Sequence, residues 1–302
     1  MSTIYTHQAS NVRKTWVIMS AFLVFIILVG WVFAQAMQTP GALYIAVAFA
    51  LIMNVASYWY SDKLVLMMTR AKEVQKKDAP ELYRIVENLA ITAGLPTPKV
   101  YIINEPAPNA FATGRDEKHA VVAVTAGLLQ RLDKAELEAV LAHELSHIGN
   151  KDMLVSTVAV VLVGFVALLS DFFLRWTMYG GRGRRDDRGD GRAQVLFLVI
   201  GIVLAILAPL VATLLRLAVS RSREFLADAS GAMLTRHPEA LATALEKIAQ
   251  DPNELRTANH ATAHLFFANP FKNGEKKGFL TKLFMTHPPV EERTRALREM
   301  NV

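Results

Sequence analysis

Cysteine is absent from all 302 residues. Disulfides, thiolate metal ligands and a cysteine nucleophile are thereby excluded, and histidine and carboxylate remain as the strong metal ligands. Charge is absent locally: no Asp, Glu, Lys or Arg occurs from Thr15 to Ser61. Gln38-Thr39-Pro40-Gly41 divides that stretch into two apolar runs, Trp16 to Met37 and Ala42 to Tyr60. Each approaches the ~20 residues that a helix rising ~1.5 Å per residue needs to cross a ~30 Å hydrocarbon core. Two further charge-free runs, Met153 to Ser170 and Ala193 to Leu215, set the upper count of spans at four.

What is present agrees with a membrane protein. The chain is 52% hydrophobic with a positive mean hydropathy, and its apolar residues come in blocks. Arg13 and Lys14 precede the first run and Ala34-Gln35-Ala36 resembles a cleavage site. The run is nevertheless longer than the ~7 to 15 apolar residues of a signal sequence, and a second follows at once, so the pair reads as an uncleaved hairpin. Basic residues flank both ends of it, Arg13 and Lys14 before and Lys63, Arg70, Lys72, Lys76 and Lys77 after. The positive-inside rule puts those ends, and the polar region from Lys63 to Asp152, in the cytoplasm. A net charge of +6 suits polar parts lying against an anionic leaflet.

Between the third and fourth apolar runs, residues Tyr179 to Arg192 are rich in Gly, Arg and Asp and read as a solvated loop. Asp186, Asp187 and Asp190 among the arginines argue against RNA, and no nucleic-acid partner is expected. If both later runs span, this loop carries its arginines to the far side, against the positive-inside rule. Either the first hairpin dictates topology or the second does not fully cross. Both options return residues after 219 to the side of the first polar region.

Within that region, Ala79 to Ala93 has the helical spacing Leu82, Ile85, Val86, Leu89 and ends at Gly94 and Pro96. Lys99 to Ile103, Asn109 to Thr113 and His119 to Thr125 read as strands of a small antiparallel sheet. Asp133 and Glu136 form a capping-box pattern ahead of Leu137, Val140, Leu141, Leu145 and Ile148. Gly149 would cap this helix, or the helix would run on into Met153 to Ser170.

The capped helix carries His143-Glu144-Leu145-Ser146-His147. Imidazoles four residues apart lie one turn apart on one face and reach a single metal, with the intervening Glu144 available as general base. A catalytic site takes three protein ligands and a water, so one ligand is missing. On a second helix, Glu224 and Asp228 share a face at i, i+4, where the first would bind the metal and the second would accept the free N–H of a liganding histidine. By spacing alone Glu224 is one carboxylate among many. His260 and His264 are also four apart but have Ala-Thr-Ala between them, with no base, and read as a helix-surface pair.

A hairpin, then HELSH, a second apolar pair, REFLADASGA and Thr286-His287-Pro288-Pro289 together resemble the HtpX-type membrane proteases of family M48, relatives of the Ste24 prenyl-protein proteases. The likeness covers essentially the whole chain and includes Asn109-Ala110-Phe111-Ala112. It implies one Zn2+ per chain, held by His143, His147 and Glu224, with Glu144 catalytic and Asp228 behind a histidine. It also offers His287 and Arg293 as transition-state contacts, while Asn109, on the strand ahead of the motif helix, reads as a residue able to hold a substrate carbonyl by its side-chain amide. The implied fold is α+β, a mainly helical zincin-like domain with a small antiparallel sheet, plus two transmembrane helical hairpins.

The division expected is residues 1–62 for the first hairpin, 63–152 for the first part of the catalytic domain, 153–219 for the second hairpin and 220–302 for the second part. The implied partners are polypeptide substrates, above all membrane proteins, and the lipid bilayer. The implied role is envelope quality control at a bacterial inner membrane, with the catalytic domain facing the cytoplasm. Prenyl-peptide (CAAX) processing is one alternative. A site-2 intramembrane protease is another, opposed by the charges Asp133, Lys134, Glu136, Glu138 and Glu144 on the motif helix.

Overall fold

The computed structural model describes residues 4–37, 39–179, 221–258, 262–270 and 288–300. Two long helices come first, α1 (Ile4–Met37) and α2 (Gly41–Met68), joined at the Thr39-Pro40 turn. Each contains a stretch long and apolar enough to cross a membrane, Ser10–Val32 and Leu43–Met68. They pack on one another and on α6 (Asp152–Tyr179), the third apolar run. Ile18, Phe22 and Ile26 of α1 meet Val155, Val158, Ala159 and Leu162 of α6, while Phe49 of α2 lies 4.8 Å from Phe165. Trp16, Val24, Tyr44, Ile45 and Ile52 point outward and are exposed. The Gly/Arg/Asp-rich loop beyond Tyr179 and the fourth apolar run lie outside the described residues.

The sheet runs β1 (Lys72–Glu73), β2 (Lys99–Ile103), β4 (Val121–Thr125), β3 (Ala110–Thr113) in spatial order. The β3–β4 pair is an antiparallel hairpin as expected. Against expectation β2 and β4 are parallel, with Lys99 opposite Val121 and Ile103 opposite Thr125. The cause lies in Asn104-Glu105-Pro106-Ala107-Pro108: prolines donate nothing to a ladder, so the chain leaves the sheet there and re-enters on the far side as β3. The following hairpin then places β4 in the gap. The sheet is therefore mixed, β4 is central and wholly buried, and β3 is an edge strand.

Helix α3 (Pro80–Thr92) forms as its periodicity requires, with proline at its first position, and ends at Gly94, whose φ of +68° favours glycine. Helix α4 (Ala126–Arg131) is short, and α5 (Lys134–Gly149) has the capping box complete: the Glu136 N–H donates to Asp133 Oδ1 at 3.0 Å and the Asp133 N–H to Glu136 Oε2 at 2.9 Å. The helix neither stops at a glycine cap nor runs straight on. It breaks at Asn150-Lys151, where Lys151 has φ of +56°, and α6 leaves at 85°. After the undescribed stretch come α7 (Arg221–Thr235), α8 (Pro238–Gln250) and α9 (Val290–Arg298). Leu241, Leu245, Ala232 and Leu297 share one core with Leu82, Val86, Val122, Val124, Leu141 and Ile148. Elements on either side of the second apolar pair thus bury a common apolar surface, with α5 at its centre.

Candidate metal centre

Helix α5 is apolar on most of its surface and is covered by the sheet, α3, α7 and α8. His143, Glu144 and His147 consequently lie inside the molecule, the first two almost fully buried and His147 at 17% side-chain exposure. Helix α7 crosses α5 at Gly231, where an added Cβ would sit 2.9 Å from the His143 nitrogen and 3.0 Å from its Cα. The glycine permits backbone-to-backbone approach there. Two turns earlier on α7, Glu224 faces the histidines.

The result is convergent. One ligand atom from each of His143, His147 and Glu224 can be chosen so that all lie within 4.8 Å of one another, a group able to hold a metal ion. His143 Nε2 and His147 Nε2 are 3.2 Å apart, and His147 Nε2 is 3.7 Å from Glu224 Oε1. The other ring nitrogens turn away toward carboxylates: His143 Nδ1 is 2.9 Å from Asp228 Oδ1, which lies off the ring N–H axis, and His147 Nδ1 is 3.2 Å from Asp152 Oδ2. With Nδ1 protonated on both rings, both Nε2 lone pairs point inward beside a carboxylate. Three electron-rich atoms facing one another call for a cation.

The electrostatics follow from burial and these contacts. Burial pulls the His143 imidazole down to about 4, against the pull of Asp228. For His147 burial acts the same way, but the Asp152 hydrogen bond and the Glu224 charge outweigh it and raise the metal-free ring to about 9, so a cation would bind there in exchange for a proton. Burial pushes Glu144 up to about 7, and its carboxylate accepts the Ala112 N–H of edge strand β3. Burial also pushes Asp228 upward, yet the Arg293 guanidinium prevails and holds it at about 2.

The remaining sequence-singled residues fare differently. Arg293 is 1% exposed and grips Asp228 with two hydrogen bonds of 2.8 and 2.6 Å, while its Nη1 donates to the Phe267 carbonyl at 3.2 Å. It therefore stands behind His143, with Nη1 also 3.9 Å from Glu224 Oε2. Phe267 packs edge-on against His143 at 4.9 Å and lies beneath Arg293. Asn109, read from sequence as a holder of a substrate carbonyl, gives its amide to the chain itself: Nδ2 donates to the Ala268 carbonyl at 2.9 Å and Oδ1 accepts the Ala268 N–H at 3.1 Å. The Phe267 N–H donates to the Ala110 carbonyl at 2.8 Å, so residues 267–268 already lie against the start of β3. His287 and His260 lie outside the described residues, as does the side chain of His264.

Sequence reading missed Asp152. It looked like the last polar residue before an apolar run, and the break at Lys151 hides its relation to His147 from any helical period. The one signal was its place directly beyond the motif helix.

Residues 76–301 match peptidase family M48, and the chain belongs to that family. It is 45% identical to the "Protease HtpX homolog" of Dictyoglomus thermophilum over 300 residues, covering 99% of this chain and 95% of that one. It is 44% identical to the protein of the same description from Thermoanaerobacter pseudethanolicus over 303 residues, covering 99% of both. The fold is similar to the crystal structure of S. mikatae Ste24p, with a TM-score of 0.51 and 17% identity over 95% of this chain. This chain spans 64% of that protein's length.

Proposed function

We propose that this protein is a membrane-anchored zinc endopeptidase in which His143, His147 and Glu224 hold one Zn2+ and Glu144 is the general base. The observation that carries the reading is the inward convergence of two Nε2 atoms and a carboxylate, with each Nδ1 turned back onto Asp228 or Asp152. That donor set suits zinc, which when bound polarises a carbonyl and lowers the pKa of its water to ~7. Asp152 holds His147 in the Nδ1–H tautomer, and the Asp228 carboxylate beside His143 Nδ1 favours the same form there. Glu144, oriented by the Ala112 N–H, takes the proton of the attacking water and delivers it to the departing amine. Its burial excludes bulk water from that transfer.

The substrates are misfolded membrane or membrane-proximal polypeptides. The likeness to HtpX proteases along the whole chain supports this, as does the two-residue interval between the motif helix and α6. The basic residues flanking the first hairpin favour a catalytic domain facing the cytoplasm at a bacterial inner membrane.

The test is metal analysis of the detergent-purified protein together with casein digestion, with and without chelator. Zinc near one per chain and chelator-sensitive cleavage are expected, and Glu224→Ala should lose most of the metal. Chelator-resistant cleavage, or unchanged zinc in the Glu224 variant, overturns the assignment.

A further inference from the structure

Asn11 sits on α1, at the start of the first apolar span, and is 2% exposed. Asparagine is a poor helix former and an amide in an apolar setting must find partners. Its partners lie at the break after α5, at the head of α6 and on α7. Nδ2 donates to Asp152 Oδ1 at 2.7 Å and to the Asn150 carbonyl at 3.2 Å. Arg223, the neighbour of Glu224 on α7, donates Nη1 to Asn11 Oδ1 at 3.4 Å and to Asp152 Oδ1 at 3.3 Å. These three buried side chains form a closed ring drawn from α1, α6 and α7, and the other oxygen of Asp152 meets His147 Nδ1 at 3.2 Å.

We propose that Asn11 is a positioning residue of the metal centre: by holding one oxygen of Asp152 it aims the other at His147, so the first membrane helix is part of the metal site as well as an anchor. The inference rests on the zinc reading above. A carboxylate on a single Cβ–Cγ axis can present its oxygens in many directions. Two donors on Oδ1, the Asn11 amide and the Arg223 guanidinium, stop that rotation and leave Oδ2 facing the imidazole. The His147 ring is then fixed in plane and tautomer with Nε2 toward the metal. Without the amide, Oδ1 keeps only Arg223, and the carboxylate can swing to meet the guanidinium more squarely, drawing Oδ2 off the ring.

The competing account is that Asn11 merely fastens α1 to the break after α5. Ile18, Phe22 and Ile26 already dock α1 on α6, so fastening and aiming can be separated by experiment. Zinc affinity is measured by competition with a chelating indicator on the full-length protein in detergent, alongside thermal unfolding in excess chelator. Asn11→Leu, Ile18→Ala, Asp152→Asn, His147→Ala and the Asn11→Leu/Asp152→Asn pair are compared with the parent.

Removing an outer partner of a ligating histidine typically costs ~10 to 100-fold in affinity, and Asn11→Leu, one contact further out, should fall at about the lower end. Ile18→Ala should unfold more readily yet bind zinc like the parent. In the Asp152→Asn background Asn11→Leu should add nothing, because its effect passes through that carboxylate. The visible spectrum of the Co2+-loaded protein should change for Asn11→Leu and not for Ile18→Ala. If Asn11→Leu destabilises too far to purify, Asn11→Ser removes the same amide with less change in shape and takes its place in every comparison.

Parental zinc affinity in the Asn11 variant overturns the proposal, as does the same fold-loss with and without Asp152. A parent and a His147→Ala variant that bind zinc alike overturn the metal reading itself, and this inference with it.

Discussion

The two histidines of the motif helix stand one turn apart, yet they are held from opposite parts of the molecule. His143 leans on Asp228, which Arg293 of α9 grips, and Phe267 closes the ring face: every member of that arm belongs to the polar domain. His147 leans on Asp152 at the head of α6, and Asp152 is held by Arg223 and by Asn11 of the first membrane helix. A guanidinium stands behind each carboxylate. Removal of the hairpin would leave the first arm whole and take Asn11 from the second, so the first hairpin enters the proposed metal site through one ligand only.

The largest effect tests the point where both arms meet. Glu144→Gln should keep its zinc and lose ~10² to 10⁴-fold in casein cleavage, since an amide cannot accept the proton. Near-parental turnover with metal bound would remove Glu144 as the base and leave the arms serving some other chemistry.

Next comes the difference between the two guanidiniums. Arg293→Met leaves Asp228 buried without its counter-charge, and breaking such a pair costs ~3 to 5 kcal/mol in chemical unfolding. Arg223→Met should cost less, because Asp152 keeps the Asn11 donor. Equal losses would mean that the arms are not built differently after all.

A smaller effect is expected where α7 meets α5. Gly231→Ala places a methyl 2.9 Å from the His143 nitrogen and must push the helices apart, at ~1 to 3 kcal/mol. Zinc affinity should fall with it, since Glu224 retreats from both rings together. A variant with parental stability and affinity would show that the helix contact has slack.

The finest comparison is between Asp228→Asn and Asp152→Asn, each expected to weaken zinc binding by ~10 to 100-fold. Excision of residues 1–62 should then mimic the second substitution and not the first. If truncation spares zinc affinity, the arm through Asp152 does not depend on the membrane.

Sequence made the local parts legible. The capping box of α5, the stripe of α3 and the first hairpin are each written within a few tens of residues, and their periods survive folding. The Asn11–Asp152–Arg223 ring joins residues separated by 141, 71 and 212 positions, and no period connects them. The parallel β2–β4 pair was hidden for a related reason: consecutive strands usually neighbour one another, and here two prolines carry the chain past the vacant place. Asn109 was legible as special but misread in its partner, because its Ala268 contact spans 159 positions.

Gly231 also acts as a gauge. The separation of α7 from α5 is set there by main chain against main chain, with no side chain between them. The gap between Glu224 and the two imidazoles is thus fixed at that crossing by backbone dimensions, which do not depend on how the surrounding side chains interlock.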